Sequence, residues 1–153
     1  MRFFLATLLA VLGCHATDRG AVSVRWKIVD LQSGEPIDPR LGCERKDQDG
    51  CGWKIDQIGI ELSNEAALAC SKGNPRCFRC DAREATTQFD VATGEVGISL
   101  RALGADGLPL QGVVSPPPLT YNVVANQIVS LDILQLGVDP PPPQGSPSCA
   151  QPQ

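Results

Sequence analysis

Histidine is almost missing from these 153 residues: His15 stands alone, at the end of an N-terminal apolar stretch. No serine or cysteine nucleophile of a folded domain therefore has an imidazole to serve as its base, which sets aside Ser-His and Cys-His covalent catalysis. Basic residues are also in short supply. Lys and Arg total 13 against 17 Asp and Glu, a formal charge of −4, and that balance argues against a nucleic-acid partner. No apolar run approaches the roughly 20 residues of a membrane-spanning helix, so membrane attachment has to be made in another way.

What the chain does have is 15 Gly and 13 Pro set among many Val, Ile and Leu, a composition that suits short strands and turns better than long helices. Its length allows one domain with a proper core, and not two. Met1 and Arg2 form a short positive segment ahead of the ten-residue stretch 3–12, apolar but for Thr7, the pattern of an export signal. At the end of that stretch Val11-Leu12-Gly13-Cys14 resembles the lipobox of bacterial lipoproteins. The resemblance implies cleavage after Gly13 and lipid on Cys14, which becomes the mature N-terminus. His15 after the Cys, where Asp would hold a lipoprotein back, implies passage to the outer membrane. Each acyl chain, palmitate among them, contributes about 0.8 kcal/mol per buried CH₂, so multiple acylation holds a protein on the bilayer essentially permanently. Loss of Arg2 with the signal leaves 12 basic against 17 acidic side chains.

The organisation that follows is a signal peptide over 1–13, a tether over 14–20, a folded domain over 21–138 and a Pro-rich tail over 139–153. That tail holds Pro140, Pro141, Pro142, Pro143, Pro147 and Pro152, and its composition buries too little apolar surface to order itself. Four successive prolines favour extended polyproline II, which serves as a spacer or docks on an aromatic groove.

Within the domain, Val22, Val24, Trp26 and Ile28 alternate with Ser23, Arg25 and Lys27 in strict period two, which predicts a strand. Ile58, Ile60 and Leu62 repeat the alternation, with Trp53 and Ile55 on the opposite parity and a strand start or bulge near Asp56 between them. Thr87, Phe89 and Val91, then a turn at Ala92-Thr93-Gly94, then Val96, Ile98, Leu100 and Ala102 predict a hairpin. A tight turn is expected at 104–107, a weaker strand at 108–114, an edge or loop at Pro116-Pro117-Pro118, and strands at 121–124 and 128–138. Only 63–69 has helical character, with Ser63 as N-cap. The fold class expected is all-β: a sandwich of about seven antiparallel strands, Ig-like or transthyretin-like, with a cysteine-rich loop. The stretch 87–107 resembles the strand-turn-strand of transthyretin-like and carboxypeptidase-regulatory-like domains, a resemblance that implies fold and not function.

Several residue groups invite a chemical reading. Cys77-Phe78-Arg79-Cys80 has the C-x-x-C spacing of redox dithiols, with Lys72, Arg76, Arg79 and Arg83 near enough to favour a thiolate; it lacks the βαβ setting of such motifs. Cys43, Cys51, Cys77 and Cys80 could hold zinc, but their spacing is not two C-x-x-C pairs, and an oxidising compartment favours disulfides. Asp47-Gln48-Asp49-Gly50, with Asp56 further on, parallels part of a calcium loop, yet Arg45 falls where the first carboxylate must be. A polar turn accounts for it. Asp56, Glu61, Glu84 and Asp90 read as solvated faces. Trp26 and Trp53 could form an aromatic platform for a glycan, although Trp26 lies on the apolar parity of its strand and fits the core.

With Cys14 assigned to lipid, Cys43, Cys51, Cys70, Cys77, Cys80 and Cys149 remain, an even number that permits fifteen pairings. The expected bridges join the Cys43/Cys51 loop to the Cys70/Cys77/Cys80 loop, with Cys43 to Cys80 favoured. The function expected is that of a non-catalytic structural or interaction module in the cell envelope, with no cofactor and no metal. Its partners would be the membrane, through Cys14, and an envelope protein or glycan. The alternative is a thiol-dependent redox protein using Cys77 and Cys80.

Overall fold

The computed structural model describes residues 18–37, 43–46, 52–65, 70 and 74–139. The export signal, Cys14, residues 47–50, Cys51, Cys149 and the Pro-rich tail from Pro140 onward lie outside the described residues. The chain builds an all-β sandwich. Its strands are β1 (Arg19–Asp30), β2 (Glu44–Lys46), β3 (Gly52–Lys54), β4 (Gln57–Leu62), β5 (Cys77–Arg79), β6 (Glu84–Thr86), β7 (Val91–Ala92), β8 (Gly94–Leu103), β9 (Val113–Val114), β10 (Leu119–Val123) and β11 (Ile128–Val138).

One sheet has the order β6-β1-β11-β9, with β7 also paired to β1; the facing sheet has the order β10-β8-β4-β5; β2 and β3 form a separate two-stranded ribbon. Neighbouring strands are antiparallel with one exception, the long parallel pair of β1 with β11. The core lies between the two main sheets. Val22, Val24, Trp26 and Ile28 of β1 and Leu131, Leu134 and Leu136 of β11 meet Ile58, Ile60 and Leu62 of β4 and Val96, Ile98 and Leu100 of β8, all buried. Burying a Val, Leu or Ile side chain fully is worth about 1.5–3 kcal/mol, so the period-two stripes are what bring the sheets face to face.

The expected hairpin over 87–102 does not form. β7 pairs with β1 and β8 with β4 and β10, so the turn at Gly94 carries the chain from one sheet to the other. Both Val91 and Val96 are buried, and each reaches the core from its own sheet. Gly94 has φ +104°, a region that side chains with a Cβ rarely occupy, which permits the crossover. Nor do residues 87–90 continue a strand. Thr87 is buried while Phe89 is 49% exposed, on the outside of a turn that Asp90 closes by donating its N–H to the Gln88 carbonyl at 2.7 Å.

Elsewhere the differences are smaller. The break expected near Asp56 separates β3 from β4. The weak strand over 108–114 shrinks to β9, and Leu108 is exposed. Residues 63–65 make a turn in which Glu65 N–H donates to the Leu62 carbonyl at 3.2 Å. The Ser63 hydroxyl accepts the Gly97 N–H at 2.9 Å; residues 66–69 of the expected helical stretch lie outside the described residues.

Strand directions give the sandwich two distinct ends. β1 and β11 start together, and the turn after β10 meets them there, with Asn126 N–H donating to the Arg19 carbonyl at 2.9 Å. β1, β11 and β8 all finish at the opposite end.

Candidate functional site

That opposite end is built from the cysteine-rich segments. Cys43 is bridged to Cys80 with 5.9 Å between their Cα atoms, the pair favoured from the sequence. Backbone bonds weld the bridge to the sheet: Ile55 N–H donates to the Cys43 carbonyl at 2.7 Å, Cys80 N–H to the Asp56 carbonyl at 3.2 Å, and Asp56 N–H to the Leu103 carbonyl at 3.0 Å. Trp26 fixes the same corner from within. It is 3% exposed, and its indole N–H donates to the Cys80 carbonyl at 3.0 Å. It is therefore part of the core and not of an exposed platform. Trp53 lies on β3 opposite Arg45.

Between the bridge and β4 opens a cleft of about 560 Å³ whose charged lining is Glu44, Lys54, Asp56, Arg79 and Asp81. Arg79 forks onto Asp81 with bonds of 3.0 and 2.6 Å, and Lys54 Nζ lies 3.1 Å from Asp56 Oδ1. The hydrogen bond from Arg79 holds the Asp81 carboxyl below its ordinary range, and the bond to Asp81 raises Arg79 in turn. Both groups are open to water. Exposed pairs of this kind contribute little to stability and exchange partners at small cost, so the cleft can trade its internal ion pairs for the charges of a docking surface.

The second bridge joins Cys70 to Cys77, with 5.7 Å between Cα atoms. Cys77 and Cys80 thus belong to two separate bridges and not to one dithiol. Cys43, Cys77 and Cys80, three of the four cysteines considered for zinc, are all oxidised in this arrangement. Among the described residues no group of three or more His, Cys, Asp and Glu converges as a metal site.

Of the carboxylates read as solvated, Glu84 is exposed as expected, while Asp56, Asp90 and Glu61 each lie within reach of a basic side chain. Glu61 takes a two-pronged bond from Arg101, at 2.7 and 2.9 Å, beside a smaller cleft of about 260 Å³ that Ser63, Ser99 and Pro118 also line. Arg76 pairs with Glu65 and lies 3.7 Å from Asp90, linking the Cys70–Cys77 segment to the turn before β7. Glu61 faces Ser99 across β4 and β8, which puts Arg101 on the diagonal. Outward-facing charges of opposite sign on two alternating strands were the available signal, but they become a pair only once the register is known. No protein family, curated protein or solved structure matches this chain.

Proposed function

We propose that the chain is the precursor of a bacterial envelope lipoprotein, cut after Gly13, held on the outer membrane by lipid on Cys14, and displaying its sandwich as a non-catalytic structural or interaction module. The observation that carries this reading is Val11-Leu12-Gly13-Cys14 at the end of the apolar stretch. Two disulfides in a domain of this size suit an exported protein, since thiols in the cytosol are kept reduced. The cleft of exchangeable ion pairs supports an interaction role with an envelope protein or glycan. The thiol-exchange alternative would need Cys77 and Cys80 to act together, and each is bonded elsewhere.

Cys14→Ala is the test. The variant should lose its acyl mass and move from the membrane fraction to the soluble periplasmic or culture fraction; retention on the membrane would overturn the reading. Crosslinking in intact cells then identifies what the module contacts.

A further inference from the structure

Phe89, Val124 and Ile128 are 49%, 40% and 54% exposed, and all three border the first residues of β1. Ala21 is paired with Ile128 on one side, and Gly20 with Val91, just after Phe89, on the other. Gly20 passes so near the Val124 carbonyl that a Cβ there would collide with it. The Arg19 guanidinium donates to the Asp90 carbonyl at 2.5 Å. Neighbouring strands lie about 4.8 Å apart, so the two flanks of this apolar rim are roughly 10 Å from each other.

Apolar side chains also stand exposed at the far end, where Leu31, Leu108 and Val114 are found. Chain length decides between the two ends. The five steps from Cys14 to Arg19 reach at most about 18 Å even when fully extended, whereas β1, with 12 residues, runs about 40 Å. Lipid on Cys14 can lie beside the Arg19 end and cannot reach the other. Once the tether confines the domain this closely, a weak contact suffices to set its orientation, because the encounter is intramolecular. Asp18 and Glu95 outnumber Arg19 near this end, which fits a neutral lipid surface better than an anionic one.

We propose that the rim of Phe89, Val124 and Ile128 rests on the lipid surface in which Cys14 is anchored, so that the cleft at the Cys43–Cys80 end faces away from it. This rests on the anchored reading above. The test places the mature, full-length protein, purified from membranes, in zwitterionic phosphatidylcholine vesicles doped with a carbene-generating phospholipid. Adducts are mapped by peptide mass spectrometry, and the mass of the N-terminal peptide reports acylation in the same sample. Adducts should concentrate on the peptides holding Phe89 and 124–128 over those holding Leu31, Leu108 and Val114. The double variant Phe89→Gln, Ile128→Gln, altered only at exposed positions, should lose more than half of that labelling while keeping its unfolding midpoint. An acylated protein labelled evenly, or mainly at the far end, overturns the orientation and leaves the anchor standing. An N-terminal peptide without acyl mass overturns the anchor and the orientation with it.

Discussion

Thr87 and Phe89 share a parity in the sequence and have opposite fates in the structure, because a hydroxyl close to the backbone can do what a phenyl ring cannot. Thr87 Oγ1 accepts the Val22 N–H at 3.0 Å, and Thr87 N–H donates to the Val22 carbonyl at 2.9 Å. A buried side chain thus extends the ladder of β6 by one position after the strand has ended. Removing the hydroxyl leaves a buried backbone N–H without its partner, a loss of about 1–3 kcal/mol. Thr87→Val should therefore lower the unfolding free energy by that amount in urea titration, and Thr87→Ser, which keeps the oxygen, should recover most of it. An unchanged midpoint for the Val variant would show that Val22 is satisfied in another way.

Strand β11 shows how an element absorbs a break in its own pattern. Leu131 and Leu134 are both buried although three positions apart, with exposed Asp132 and Ile133 between them. Pairing with β1 runs from Ser23–Ser130 to Arg25–Ile133, so β11 carries one extra residue, a bulge. Deleting Asp132 would leave Val129, Leu131, Leu134, Leu136 and Val138 in uninterrupted alternation, and the deletion should be tolerated. Deleting Gln135 instead turns Leu136 and Val138 to the solvent face. At about 1.5–3 kcal/mol for each of the two side chains, that loss is about 3–6 kcal/mol, a large part of the roughly 5–15 kcal/mol that holds a small domain together. Circular dichroism with thermal melting checks both, and similar damage from the two deletions would refute the bulge.

Across the whole molecule the core holds the sheets together and the disulfides tie the cysteine-bearing segments to it. The Cys43–Cys80 bridge spans 37 positions and the Cys70–Cys77 bridge 7. In the chain-entropy account these closures are worth about 4 and about 2.5 kcal/mol. The paired variant Cys43→Ala, Cys80→Ala should thus destabilise more than Cys70→Ala, Cys77→Ala in urea unfolding, and a non-reduced digest should show the two linkages as separate peptides. The reverse order of stabilities would mean that the ribbon β2–β3 is held chiefly through the backbone bonds of Asp56 to Leu103 and Cys80.

The sequence by itself determined the all-β class, the inward face of β1, β4 and β8, the break before β4 and the lipobox resemblance, because each is written in neighbouring residues. Alternation states which face of a strand is buried but not which strand lies beside it. The parallel pairing of β1 with β11, the crossover at Gly94 that replaces the expected hairpin, and the Glu61–Arg101 pair are all set by contacts between distant segments. Only the tertiary structure decided them, since a strand's partner is chosen by how the two apolar faces close over one core and not by any local preference of its residues. The Cys43–Cys80 bridge stands between the two kinds: loop positions in the sequence narrowed the choice, and the packing of Trp26 against the Cys80 carbonyl gives that corner its geometry.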